Sequence, residues 1–186
     1  MTKKISFDIQ NIVASANLNV ELDLYAIARE VDNVEYEPEQ FPGAILKLKE
    51  PKTSLLLFKN GKVICTGAKS EENVDKSIRT AYKNIKECVK GPKKKPTLTF
   101  KIVNIVASAN LNVELDLYAI AREVDNVEYE PEQFPGAILK LKEPKTSLLL
   151  FKNGKLICTG ATSEGDVSKS IHKAYDMIKK HVKKGK

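Results

Sequence analysis

Apolar and polar positions along this chain follow two periods. TSLLLFKNGK, at Thr53–Lys62 and again at Thr146–Lys155, reads as a strand entering a turn, yet Leu55, Leu56, Leu57 and Phe58 fill both of its faces. A strand covered on one side should alternate apolar and polar residues, so something must cover the second face. AILKLK, TSLLLF and KVICTGA read as three successive strands. The last two are joined through KNGK, whose Asn-Gly is a strong hairpin signal. SFDIQNIVAS has strand character upstream, and VEYEPEQFPG reads as a strand end running into a Pro- and Gly-marked loop. The helical period appears twice. Asp23 before LYAIARE is an N-cap signal, with Leu24, Ile27, Ala28 and Val31 as the buried stripe. Ser70 with Glu71 and Glu72 opens a longer helix, with an apolar stripe through Val74, Ile78, Ala81, Tyr82, Ile85, Cys88 and Val89. Lys76, Arg79, Lys83, Lys86 and Lys90 occupy its other side, which by itself reads as a solvated face.

The whole pattern then recurs. Asn11–Lys62 and Asn104–Lys155 are identical letter for letter, a repeat of 93 positions that continues through ICTGA after Val63 and Leu156. The differences gather in the last helix of each half and before Asn11 and Asn104. Each half reads β-α-β-β-β-β-α, mostly antiparallel, which makes the class α+β. The expected organisation is a first repeat over 1–91, a basic Pro/Gly linker over 92–97 and a second repeat over 98–186. Two such halves on a short linker are expected to pack together as a pseudo-dimer.

With helices on one face of each sheet, alternation sorts the residues. Ile12, Leu55, Leu57, Val63 and Cys65 point into the core. Asn11, Val13, Ser54, Leu56, Phe58, Ile64 and Thr66 remain on the open face, without a charge at its centre. A monomer rarely leaves so large an apolar patch bare, so this face is expected to bind something that tolerates apolar contact.

Composition narrows what that something is. The 186 residues carry a formal net charge of +7, with 30% charged and 42% hydrophobic. Such a charge suits either solubility or a polyanionic partner such as nucleic acid. No apolar run approaches the roughly 18 residues of a membrane span, and MTKKISFDIQ lacks the apolar stretch of a signal peptide. Three cysteines, Cys65, Cys88 and Cys158, form no metal-ligand spacing and suggest reduced thiols. The two histidines, His172 and His181, lie in the second long helix without counterparts in the first half. No HExxH, GxSxG, phosphate-loop or dinucleotide motif occurs, so the pattern gives an enzyme no support.

QNIVASANL, EYEPEQFPGAILKLKEPKTSLLLF and GKVICTGAKSEE resemble the TATA-box-binding protein family, in particular its archaeal members, over both halves. The resemblance implies a saddle: two tandem pseudo-symmetric repeats forming one curved antiparallel sheet, concave toward the minor groove of TATA DNA, with helices on the convex side. The family is itself a standard illustration of a DNA-kinking minor-groove binder, so the kink belongs to the resemblance and not to any reading of these residues. By the residues alone, a Phe at a strand end is more often core. By the resemblance, Phe41 with Phe58 and Phe134 with Phe151 are intercalating pairs. It likewise implies that Asn11, Asn104, Thr66 and Thr159 donate to minor-groove acceptors, and that Val13, Leu56, Ile64, Val106, Leu149 and Ile157 make apolar contacts. Such a surface suits the bare A·T floor and leaves a guanine amino group unpaired. Lys47, Lys52, Lys62, Lys140, Lys145 and Lys155 stand where relatives have basic phosphate contacts, several of them Arg.

The family's partners also follow by resemblance. EYEPEQFPG corresponds to the stirrup loop, and Glu130, Glu132 and Gln133 become the contact for transcription factor B. Read alone, this acidic loop is a solvated turn. The expected role is that of a general transcription initiation factor that binds double-stranded TATA-box DNA and joins the RNA polymerase pre-initiation complex. No catalysis, metal or organic cofactor and no membrane is expected; the location is cytoplasmic at an archaeal nucleoid, or nuclear in a eukaryote. The exposed face would also allow a homodimer in DNA-free protein. The alternative function is a protein-interaction module using the same apolar face. This chain departs from relatives in one respect: the first stirrup, Glu37, Glu39 and Gln40, is identical to the second. Both orientations on TATA are therefore expected to be nearly equal, with the residual asymmetry in the last helices and the linker.

Overall fold

The computed structural model describes residues 5–91 and 96–183, so residues 92–95 of the expected linker lie outside the described residues. The chain divides into two compact units. One runs Asn11–Val103; the other comprises Asn104 onward together with the N-terminal residues up to Gln10.

The first repeat contributes β1 (Phe7–Asn17), β2 (Glu21–Leu22), α1 (Leu24–Glu30), β3 (Val34–Glu35), β4 (Ala44–Leu48), β5 (Thr53–Leu57), β6 (Lys62–Ala68), α2 (Glu71–Ile85) and β7 (Val89–Lys90). Its main sheet runs β3-β4-β5-β6-β1, every neighbouring pair antiparallel. The second repeat reproduces this with β8 (Phe100–Asn110), β9 (Glu114–Leu115), α3 (Leu117–Glu123), β10 (Val127–Glu128), β11 (Ala137–Leu141), β12 (Thr146–Leu150), β13 (Lys155–Ala161), α4 (Glu164–Ile178) and β14 (Val182–Lys183), in the sheet order β10-β11-β12-β13-β8. The fold is α+β, as the periodicity predicts.

Local sequence chemistry explains the element ends. Asp23 accepts the Ala26 backbone N–H at 3.1 Å, and Ser70 accepts that of Asn73 at 3.1 Å, so each satisfies a donor that the first helical turn would leave orphaned. Asp116 and Ser163 repeat these caps on Ala119 and Asp166. The backbone hydrogen bond from Ala26 holds the Asp23 carboxyl below its usual range. In the KNGK turn the Gly61 N–H bonds back to the Phe58 carbonyl at 2.9 Å, with Gly61 at φ +80. Val20 carbonyl oxygen would lie 2.2 Å from a Cβ there, so only glycine fits.

The core lies between the helices and one face of each sheet. In the first repeat Ile12, Leu46, Leu55, Leu57, Ile78 and Ile85 are under 2% exposed. Each such side chain contributes about 1.5–3 kcal/mol on burial. A hydroxyl pair crosses the helix–sheet boundary: Thr53 Oγ1 and Ser77 Oγ are 2.9 Å apart, and Ser77 also donates to the Asn73 carbonyl at 2.6 Å. Thr146 and Ser170 repeat it at 2.8 Å.

Three details differ from the periodic reading. The α2 stripe does not continue as helix to Val89: the chain tightens into a 3-10 turn at Lys86–Cys88 and becomes strand β7. There Val89 pairs with Leu22 of β2, and the Asp23 N–H bonds to the Cys88 carbonyl at 3.0 Å. A two-residue strand has no readable period, and its partner is far away in sequence. His181 likewise lies in the 3-10 turn after α4 and not in the helix itself. On α1 only Leu24 and Ile27 are fully buried, while Ala28 and Val31 are half-covered at its margin.

Candidate nucleic-acid interface

The sheet face opposite the helices carries the residues that alternation placed there. On β1, Asn11 and Val13 are half-buried while Ile12 and Ala14 are fully buried. Strand register aligns the others across the face. Ile64 stands opposite Leu56 and also opposite Ser15, Leu56 stands opposite Ile45, and Thr66 stands opposite Ser54. In the second repeat Leu149 lies between Ile138 and Ile157, and Ser108 lies opposite Ile157. Ile45 and Ile138 therefore belong to the face, although they were not among the expected contacts. The alternation of AILKLK could have found them, since Ile45 and Lys47 share one side of that strand.

Asn11 is fixed by a bulge. The β1–β6 register advances from Ile12↔Ala68 to Ala14↔Cys65, leaving one extra residue on β6. Gly67, at φ +93, takes up that extra residue. Its N–H donates to Asn11 Oδ1 at 2.7 Å, and Asn11 Nδ2 reaches Thr66 Oγ1 at 3.2 Å. An amide N–H can only donate, so this bond determines which end of the Asn side chain is oxygen. The carbonyl end is occupied by backbone, which leaves the Asn11 NH2 group and the Thr66 hydroxyl among the polar groups of the open face. In the other unit the Gly160 N–H donates to Asn104 Oδ1 at 2.8 Å, at the equivalent bulge.

The phenylalanines pair edge to face. Phe41 and Phe58 have centroids 5.8 Å apart and planes at 67°; Phe134 and Phe151 stand at 6.0 Å and 63°. Phe41 is 37% and Phe134 40% exposed, unusual for rings that could have joined a core. Both pairs rest on a glycine. A Cβ on Gly43 would lie 2.8 Å from Phe41 Cε1 and 3.2 Å from Phe58 Cε1, with the same distances around Gly136. These glycines are functional candidates that the motif reading passed over. The FPG spelling was the available signal.

The basic residues split into two groups. Lys52, Lys62, Lys145 and Lys155 are exposed and form no ion pair among the described residues. Lys47 Nζ lies 2.6 Å from Glu35 Oε1, and Lys140 Nζ lies 2.6 Å from Glu128 Oε1. Both pairs are exposed and of little stabilising value, but they partly neutralise two of the six cations. In the stirrups, the Gln40 and Phe41 N–H groups bond to the Glu37 carbonyl, and Gln133 and Phe134 repeat this on Glu130. Glu130, Glu132 and Gln133 are exposed, as are Glu37, Glu39 and Gln40.

Cys65 and Cys158 are fully buried, and burial pushes the Cys158 thiol up to about 11. The ring of His172 is 2.8 Å from the Ser168 carbonyl one helical turn away, and His181 lies 3.8 Å from Glu123. No cluster of three metal-ligating side chains occurs among the described residues, and none of their helices is long and apolar enough to cross a membrane.

Comparison with known proteins identifies the family. The family model for "Transcription factor TFIID (or TATA-binding protein, TBP)" matches residues 6–88 and again 99–181. The TATA-box-binding protein of Pyrobaculum aerophilum is 44% identical over 178 residues, covering 96% of this chain and 88% of that protein. That of Methanothermobacter thermautotrophicus is 46% identical over 169 residues, covering 91% and 92%. Among solved structures, Methanococcus jannaschii TBP matches with a TM-score of 0.85 and 42% identity, over 94% of this chain and 99% of that one. With both repeats matched and relatives this similar over nearly their whole length, the chain belongs to the TATA-binding protein family.

Proposed function

We propose that this protein is a transcription initiation factor that binds the minor groove of TATA-box DNA through the open sheet face and bends it. One observation carries the reading: an apolar face without charge at its centre ends, in each repeat, in a Phe pair seated on a glycine, one ring exposed and the other half-buried. Phe41, Phe58, Phe134 and Phe151 act as wedges between base steps, where unstacking costs about a few kcal/mol per step and a flat apolar ring replaces part of the lost stacking. The Asn11 and Asn104 amides donate to adenine N3 or thymine O2, helped by Thr66 and Thr159. Val13, Leu56, Ile64, Val106, Leu149 and Ile157 lie on the groove floor and leave no acceptor for a guanine amino group. Lys52, Lys62, Lys145 and Lys155 hold phosphates, and Lys47 and Lys140 join them by exchanging their glutamate partners for phosphate. The bent complex recruits transcription factor B through the stirrup residues Glu130, Glu132 and Gln133, and through it the polymerase.

The test is a titration of an end-labelled TATA duplex, with energy transfer between its ends reporting bending, beside a G·C-rich duplex and a Phe58→Ala/Phe151→Ala variant. TATA-selective bending that weakens steeply with salt and is lost in the variant is the expected result. Binding that resists salt and does not distinguish the duplexes would refute it in favour of an apolar protein-interaction face.

A further inference from the structure

The two open faces are built from the same residues except at one place. In the unit that contains Asn104 onward, an open groove of about 760 Å³ is lined by Asp8, Gln10, Val106, Ser108, Phe151 and Ile157. Gln10 Nε2 donates to Ser108 Oγ at 2.9 Å and lies 3.4 Å from the Asp8 backbone carbonyl. A carbonyl can only accept, so Nε2 makes both of these contacts and Oε1 is left without a partner among the described residues. In the other unit the repeat puts Lys101 and Val103 at the equivalent positions, and Val103 is 45% exposed. The helices that carry most of the remaining sequence differences, α2 and α4, pack on the opposite face and present nothing to a ligand there.

We infer that Gln10 against Val103 makes the two halves of the binding face read different base pairs, and so orients the protein on asymmetric sites. The inference rests on the TATA-binding reading. The minor groove offers only acceptors at A·T pairs, and G·C adds the guanine N2 amino donor. Gln10 Oε1 is an acceptor that satisfies this donor; Val103 leaves it unpaired. The half carrying Gln10 therefore tolerates a G·C pair that the half carrying Val103 rejects. The opposite charges of Asp8 and Lys101 add a second inequality, felt by the phosphates and not by the bases.

The experiment uses TATA duplexes in which one A·T pair at a time is replaced by G·C. Orientation is read by strand cleavage from an agent tethered at Lys59→Cys, and bending is read in parallel. At one step the two orientations should differ by roughly threefold to tenfold, the range of one hydrogen bond. Replacing that guanine with inosine, which lacks the amino group, should return the ratio to near one, as should Gln10→Val on the guanine duplex. A ratio near one at every step, or a bias that survives inosine or Gln10→Val, overturns the inference while leaving TATA binding intact. Failure to bend any duplex overturns the TATA-binding reading itself, and this inference with it.

Discussion

Gly43→Ala tests whether the Phe pair is a positioned wedge or merely two rings in contact at the end of the sheet. The added methyl would sit 2.8 Å from Phe41 Cε1 and 3.2 Å from both Phe58 Cε1 and the Leu57 carbonyl oxygen. Overpacking a filled site costs about 1–3 kcal/mol. Here the tightest contact is with an exposed ring that can swing away, and only the Leu57 carbonyl contact must be relieved by backbone, so the lower end applies. A loss of about 1 kcal/mol lowers the melting temperature of a chain this size by roughly 2–4 °C. The swing breaks the edge-to-face pair, worth about 0.5–1.5 kcal/mol, and moves the wedge. Aromatic stacking on a base is worth about 1–3 kcal/mol, so loss of one wedge should weaken bending on the order of tenfold or more. Calorimetry and end-to-end energy transfer on the same samples separate the two effects. Gly136→Ala should behave alike, because its surroundings have the same distances. Unchanged bending would refute the idea that glycine seats the rings. A melting temperature lowered by ten degrees or more would show that the Leu57 carbonyl, not the ring, is what the glycine protects.

Other outcomes follow from the same geometry. Asn11→Asp keeps an acceptor for the Gly67 N–H but removes the donor and adds a charge, so TATA affinity should fall tenfold or more while thermal melting changes little; an affinity within twofold of the parent would deny Asn11 its donor role. Six phosphate contacts imply a log–log salt slope of roughly −5, and four roughly −3.6. Glu35→Gln with Glu128→Gln frees Lys47 and Lys140, so affinity measured across a salt series should rise most at low salt; no change would remove these lysines from the interface. Cys158 is neutral in the fold with its thiol raised from 9.0 to about 11. The folded state thus retains a proton that the unfolded chain releases: this contribution to stability is full below pH 9 and lost as pH rises toward about 11. Denaturant midpoints across that window should fall less in Cys158→Ala than in the parent, and an equal fall would assign the alkaline loss elsewhere.

Much of the fold was legible because it is local. Asp23 and Ser70 cap the helices they precede, and Asn60-Gly61 makes the turn between β5 and β6. A side-chain period of two assigns Leu55 and Leu57 to the core and Leu56 to the open face without any tertiary information. The short ladder of β2 with β7 was not legible, since two residues cannot display a period and their pairing depends on where α2 ends. The membership of the face was readable from alternation even for Ile45, which needed only the same rule applied to one more strand.

The candidate site divides in the same way. Sequence alone determined the repeat and the open apolar face, because period and spacing are properties of the chain, while the Phe, Asn and Lys candidates came from the resemblance of its motifs to a family. Only the tertiary structure decided how they are held. The Asn11 amide is oriented by a bulge glycine 56 positions away, and Thr66 meets it from 55. A Cβ on Gly43 would meet Phe58 from the neighbouring hairpin arm, and Gln10 joins the unit built from the other repeat, where it meets Ser108. Each of these is a contact between strands brought together by folding. Distance along the chain carries no record of it, because register, bulge and backbone approach are set by the packing of the whole sheet against its helices.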